Sequence, residues 1–283
     1  MKQTVRWNIL KNRTSTLLTY GFTIFIIILF LFPILFLFSM SLKTQLDALA
    51  SPPKLLFFTP TLINFIDLFV ENEFIKYFFN SFIICIACVI LSILLGAPFA
   101  YALSRSKNRW VAPVMFIVLI LRVIPPVSLL VPFFGVYSAL KLNDTFPGVI
   151  MLYMTFSLPL AIWLLKSAFD SLPDGIEEAA WIDGCSIFQT FLRISLPLVS
   201  EAIAAMAVLV FVNAWNEYLY AMIITRSNTK TVTVVINSFM RFDKTEYGVI
   251  AAASLIISLP IILFSILVRK YLVSGLTAGA VKE

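Results

Sequence analysis

The run Leu17–Met40, LLTYGFTIFIIILFLFPILFLFSM, decides what kind of protein this is. It carries no charged residue, and it is long enough for a helix to cross the roughly 30 Å apolar core of a bilayer, which takes about 20 residues. Lys2, Arg6, Lys11 and Arg13 precede it as they would a secretion signal. However, a signal core is only about 7–15 residues long, and no small-x-small cleavage site follows here. The run reads as a retained membrane helix.

Five further apolar stretches lie near Asn80–Leu103, Val111–Tyr137, Phe146–Phe169, Ala202–Ile224 and Gly248–Leu272. Backbone N–H and C=O groups in lipid must be paired within the segment, and the period-2 alternation of a barrel is missing, so each stretch is expected to be a helix. The expected fold is an all-α integral membrane protein with six transmembrane helices. Residues 1–16 form a cytoplasmic N-terminal segment, and 17–283 form a single transmembrane domain.

Composition excludes other classes. Hydrophobic residues make up 60% and charged residues 13% of the 283, with a mean hydropathy of +0.97. Soluble domains average about 45–50% apolar and about 25% charged. Histidine is absent, so Ser-His, Cys-His and His-zinc chemistry is excluded for this chain alone. The formal charge of +6 is scattered over connections between apolar runs, which fits membrane topology rather than a nucleic-acid surface. Cys85 and Cys88 form a C-x-x-C, but inside an apolar span, where packing is the expected role. No G-x-x-x-x-G-K-[ST] phosphate loop occurs. The chain is expected to be no enzyme and to bind no cofactor or metal.

Basic residues set the orientation. With the N-terminus inside, Lys2, Arg6, Lys11, Arg13, Arg105, Lys107, Arg109, Lys166, Arg193, Arg269, Lys270 and Lys282 fall on the cytoplasmic side. Lys43, Lys54, Lys76, Lys141, Arg226, Lys230, Arg241 and Lys244 fall outside. The outside set is offset by nearby carboxylates, so both termini are expected in the cytoplasm. The long segment Lys43–Lys76 is an outside loop whose part Phe65–Phe79 is amphipathic, and 225–247 is a polar outside loop.

The connection 170–200 is too polar to span and too regular to be slack. Asp170 or Ser171 caps a first short helix, Pro173 suits its start, and Asp174, Glu177 and Glu178 favour the positive end of its dipole. Gly184 is a natural stop. Ser186 and Gln189 form a capping box for a second helix with an apolar stripe of Ile187, Phe188, Phe191 and Leu192, and Pro197 ends it. By pattern alone an ordinary amphipathic surface helix also fits.

Glu178-Ala179-Ala180, Gly184 four residues on, then Ile194-Ser195-Leu196-Pro197 resembles the EAA signature of ABC-importer permease subunits. Arg122–Pro126 with Pro132, Trp215-Asn216-Glu217-Tyr218 and the tail from Gly275 to Lys282 resemble the carbohydrate-uptake branch, and most of the chain is similar to the smaller six-helix permease of maltose-type systems. The resemblance implies a second permease subunit in a heterodimer, two cytoplasmic ATPase subunits that bind ATP and magnesium, an external solute-binding protein, and a sugar substrate moved inward by alternating access. It makes 170–200 the cytoplasmic coupling element, carried by Glu177, Glu178, Ala179, Ala180, Asp183, Gly184, Ile194, Leu196 and Pro197. It also assigns 225–247 to contact with the binding protein, at the cell membrane of a bacterium or archaeon.

Inside the spans, Arg122 is a costly charge expected to face a cavity or a partner such as Glu217, and Pro125-Pro126 is expected to kink or interrupt the third span. Arg122, Asn213, Trp215, Asn216, Glu217 and Tyr218 are candidates for the substrate pathway, although Trp and Tyr also belong to interfacial belts. A secondary, ion-coupled transporter would show repeats and midplane carboxylates, which are missing. An importer of a glycerol-phosphate compound stays open.

Overall fold

The computed structural model describes residues 2–52, 54, 57–240 and 245–278. It is helical almost throughout; among the described residues the extended pairing is an isolated bridge between Met240 and Thr245. The chain forms two compact units, Met1–Asn72 with Phe239–Ile256, and Glu73–Ser238 with Ile257–Glu283.

The first unit opens with α1 (Lys2–Ser41), which takes in the first apolar run and the segment before it. Its apolar stretch Thr19–Ser41 is exposed along most of its length and becomes covered only at its end, where Ser41 is buried, as suits a helix whose solvent is lipid. Asn64 organises the turns that follow: its amide donates to the Ser41 and Lys43 carbonyls, both at 2.8 Å. Gly248 lies against that amide so closely that a Cβ would overlap it. The expected amphipathic segment Phe65–Phe79 is divided: its first part lies in a turn of α-helix, Ile63–Ile66, and a widened turn at Asp67–Glu71, and Phe74–Phe79 open the next long helix.

The second unit is built on α2 (Phe74–Arg105) and α5 (Phe146–Asp170). At about 1.5 Å per residue they run about 48 and 37 Å, enough to cross a bilayer with turns to spare. Between them lie α3 (Val111–Val123) and α4 (Pro126–Ala139), which meet at 95°. The expected single third span is thus sharply broken, for a local reason. Proline disfavours helical torsions in the residue before it, and both Ile124 (ψ 121°) and Pro125 (ψ 127°) are extended.

Two short helices follow, α6 (Asp174–Ile182) and α7 (Ile187–Leu198), the latter widened at Phe191–Ser195. Then α8 (Ser200–Trp215) departs at 75°. Pro197 has no N–H to give the Arg193 carbonyl, and a widened turn immediately before a proline is a recognised way for a helix to bend. The expected fifth span, Ala202–Ile224, is also interrupted: α8 stops at Trp215 and α9 (Leu219–Ile224) begins afresh. α10 (Val232–Ser238) and α11 (Tyr247–Ala278) complete the chain. Among the described residues, four helices are long and apolar enough to cross a membrane, or up to six if each bent pair counts as one.

The segment expected as a polar loop from 225 folds back on α2. Asn80 donates to the Asn228 and Lys230 carbonyls at 2.8 and 3.2 Å, and the Val232 N–H donates to the Ser81 hydroxyl at 2.8 Å. Val232 and Val235 are buried, which is why this polar stretch is partly helical. Arg241 and Lys244 of this segment, and Lys282 of the tail, lie outside the described residues.

Candidate functional site: an elbow and a cavity

Residues 170–200 form an elbow of two helices. α6 ends in a tight turn: Gly184 has φ +87°, its N–H reaches the Trp181 carbonyl at 3.0 Å, and the Cys185 N–H reaches that of Ala180 at 2.9 Å. This pair of bonds satisfies the last carbonyls of a helix and needs a left-handed residue, which glycine adopts without strain. Ser186 and Gln189 form the expected capping box over α7, at 3.3 and 2.9 Å. The other expected cap is not made. Asp170 is held by Lys166 and the Ser104 hydroxyl, both at 2.6 Å, the Ser171 hydroxyl turns back to Ala168, and Pro173 stands at the N-cap with no side-chain bond.

The elbow separates its side chains by face. Glu177 (2% exposed), Ala180, Phe191 and Ser195 turn inward. Phe191 packs against Tyr101 and Phe169 at centroid distances of 5.0 and 6.2 Å, fastening α7 to the last turns of α2 and α5. Glu178, Ala179, Asp183 and Gly184 are exposed, Ile194 and Leu196 are partly covered, and Pro197 is exposed. Ile182 (86% exposed), Ile187, Phe188 and Leu192 point outward. The expected apolar stripe is therefore split, with Phe191 serving the core and its neighbours left free.

Glu177 is among the residues that the resemblance assigns to coupling, and its carboxylate is enclosed. It accepts from Arg105 Nε and Nη2 at 2.8 and 2.9 Å, from Ser195 Oγ at 2.7 Å and from the Tyr101 hydroxyl at 3.1 Å. Burial favours the neutral acid, yet the Arg105 and Ser195 bonds outweigh it and hold the carboxyl below its ordinary value. Arg105, Tyr101 and Ser195 were not singled out in the sequence for this role. Arg105 read there simply as one of several positive charges following a span.

A cavity of about 470 Å³ opens where α3 breaks and α8 stops. It is lined by Arg122, Asn213 and Glu217 together with Thr155, Phe156 and Tyr220. Three of the expected pathway residues are thus brought together. Glu217 does not ion-pair with Arg122: its carboxylate accepts the N–H groups of Tyr220 and Ala221 at 2.8 and 3.0 Å, starting α9. Phe133, Phe156 and Tyr220 form an aromatic wall, with Tyr220 5.8 Å from Phe133 and stacked on Phe156 at 6.2 Å. Spacing alone did not indicate Phe133, Thr155, Phe156 or Tyr220.

The structure does not bring Trp215 to this cavity. It is 1% exposed, stacks on Phe211 at 5.4 Å, meets Phe78 edge-on, and donates its indole N–H to the Ile257 carbonyl at 3.1 Å. It is a core residue. Asn216 bonds back to Val212, and the Tyr218 hydroxyl accepts from Asn237; neither lines the cavity.

Elbow and cavity lie in the second unit, with the elbow at the Arg105 and Asp170 ends of α2 and α5. The segment 225–231 lies at their other ends, where Asp144 accepts the N–H groups of Arg226, Asn228 and Thr229 at 2.9–3.2 Å. Residues 90–277, which hold both sites, match the family described as the binding-protein-dependent transport system inner membrane component. The chain belongs to that family.

Relatives, and the fold of a solved structure, resemble this chain over nearly its full length. The trehalose transport system permease protein SugB of Mycobacterium tuberculosis is 35% identical over 255 residues, 89% of this chain and 92% of that protein. The trehalose/maltose transport system permease protein MalG of Thermococcus litoralis is 34% identical over 261 residues, 90% and 92% of the two chains. The fold matches a crystal structure of a bacterial ABC transporter involved in the import of the acidic polysaccharide alginate, with TM-score 0.75, 22% identity, and 92% and 97% of the two chains covered.

Proposed function

We propose that this chain is the permease subunit of an ATP-driven ABC importer for a sugar or oligosaccharide, and that its elbow at 170–200 couples it to an ATPase on the cytoplasmic side. One observation carries the coupling role: a stiff two-helix element, fixed to the ends of α2 and α5, leaves Ile182, Ile187 and Phe188 bare beyond the apolar spans. Clustered apolar side chains outside lipid are the mark of a protein contact. A rigid element is what such a contact needs, because a slack loop would absorb the partner's motion.

The sugar assignment is supported by relatives that carry trehalose and maltose and by the family to which the chain belongs. ATP and magnesium belong to the partner ATPases. An external binding protein would approach from the Asp144 end, opposite the elbow, and a second, different permease would complete the pathway. The residues favoured for the pathway are now Arg122, Asn213 and Glu217, with the Phe133, Phe156 and Tyr220 wall offering the aromatic faces on which sugar rings stack. Both termini are taken as cytoplasmic from the distribution of Lys and Arg.

The test is reconstitution of the affinity-purified complex in liposomes. A second permease and an ATPase are expected to co-purify, and sugar uptake is expected to require ATP with ion gradients collapsed. Uptake that persists without ATP and follows an ion gradient would sink the proposal.

A further inference from the structure

Arg105 is the meeting point of four elements. Its Nε and Nη2 fork onto the two carboxylate oxygens of Glu177 at the start of the elbow. Its Nη1 donates to the Phe169 carbonyl in the last turn of α5 at 3.1 Å and to the Ser104 hydroxyl at 3.2 Å. Ser104 in turn donates to Asp170, which Lys166 also holds, and Asp174 lies 3.9 Å from the guanidinium. On the far side, the Glu177 carboxylate reaches the second arm of the elbow through Ser195, in the widened turn of α7. One largely enclosed fork, with Glu177 buried and Arg105 partly exposed, therefore joins the ends of two spans to both arms of the elbow.

We propose that the Arg105–Glu177 pair is the clamp through which a displacement of the elbow is passed to α2 and α5. The two residues act as positioning residues that face the bundle and touch neither solute nor ATPase. The inference rests on the importer reading above. A bidentate guanidinium–carboxylate pair fixes orientation as well as distance, whereas apolar contacts such as Phe191 on Tyr101 can slide. Enclosure raises the penalty for separating the pair, because Glu177 alone is left as a buried, uncompensated charge. Elbow and spans thus move as one body.

The experiment measures sugar imported per ATP hydrolysed by the full complex in liposomes, with assembly followed by co-purification of the partner subunits. Glu177→Gln keeps the size and one acceptor oxygen but loses the charge and the fork. It is expected to lower the import-to-hydrolysis ratio by about tenfold, within the usual range of a coupling between two sites. Arg105→Lys keeps the charge without the fork and is expected to lower the ratio by a smaller factor; where Glu177→Gln fails to assemble, this variant decides the question alone. A merely structural pair would reduce uptake and hydrolysis in proportion, leaving the ratio at its wild-type value, and that result overturns the clamp. A wild-type complex without ATP-driven uptake overturns the importer reading instead.

Discussion

The elbow and the cavity are assembled in opposite ways. In the elbow, the turn at Gly184 and the start of α7 are each settled by partners three to five residues apart: Gly184 with Trp181, Cys185 with Ala180, Ser186 with Gln189. The cavity draws Arg122, Phe156 and Asn213 from three different helices and Glu217 from the link between α8 and α9, and what brings them together is the packing of α3, α5, α8 and α9. A local device survives many changes elsewhere but is destroyed by one wrong residue at its turn. A distributed device tolerates single losses at its lining and fails when the frame behind it fails.

Gly184→Leu gives the sharpest break in that comparison. A Cβ at Gly184 meets nothing within 4 Å, so crowding within the chain is not the issue. The cost is backbone strain at φ +87°, about 1–2 kcal/mol for a residue with a side chain, together with a bulky group on the face offered to the partner. The variant is expected to reach the membrane at wild-type abundance and to lose sugar uptake. Gly175→Ala is the control: it also meets open space, its φ is not left-handed, and alanine favours α6 by about 0.5–1 kcal/mol, so uptake is expected to persist. Normal uptake by Gly184→Leu would remove the elbow's turn from the mechanism.

What the sequence disclosed follows the same division. The apolar runs, the Pro125 break, the Gly184 stop and the Ser186 capping box depend on neighbours in the chain, and hydropathy or residue type exposes each of them. The end of α8 did not show. Asn216, Glu217 and Tyr218 are flanked by apolar residues on both sides, so hydropathy carries the span straight through to Ile224. The interruption depends on Glu217 turning back to cap α9 and on Thr233 donating to the Glu217 carbonyl at 2.8 Å from sixteen residues away. The inward turn of Glu177 was hidden for the same reason, since its partner Arg105 is 72 residues distant.

Trp215 and Glu217, two residues apart, sharpen the contrast between frame and lining. Trp215→Ala removes a buried ring and its bond to Ile257, and such truncations cost about 3–5 kcal/mol. It is expected to lower thermal stability and abundance, with uptake falling in proportion to the protein that remains. Glu217→Ala removes a helix-capping carboxylate, at about 0.5–2 kcal/mol, and alters the cavity wall. Uptake per molecule is expected to fall with abundance kept. Thermal unfolding in detergent beside uptake normalised to protein separates the two; reversed roles for these residues would mean that Trp215 serves the pathway after all.

The smallest effect is expected where the two kinds of device meet, at Asp144. Its backbone is left-handed, φ +56°, a conformation that Asp and Asn tolerate better than most residues. Its carboxylate binds N–H groups 82–85 residues away and the Thr229 hydroxyl at 2.9 Å. Burial favours the neutral acid, but the Thr229, Arg226 and Asn228 bonds prevail and hold the carboxyl below its ordinary 3.8. Because the folded value is the lower one, the stabilisation is complete above that ordinary value and is lost as pH falls through it and below. Amide protection at Arg226, Asn228 and Thr229, followed by hydrogen exchange, is therefore expected to hold steady from neutral pH down to about 5 and to decline below about 4. Asp144→Asn keeps the left-handed turn but has one acceptor oxygen and no charge, so protection is expected to be lower throughout and to lose that acid dependence. Unaltered protection and an unaltered acid limb in Asp144→Asn would mean that 225–231 is held by Asn80 and Ser81 alone, a loop anchored by α2 rather than tied across the chain.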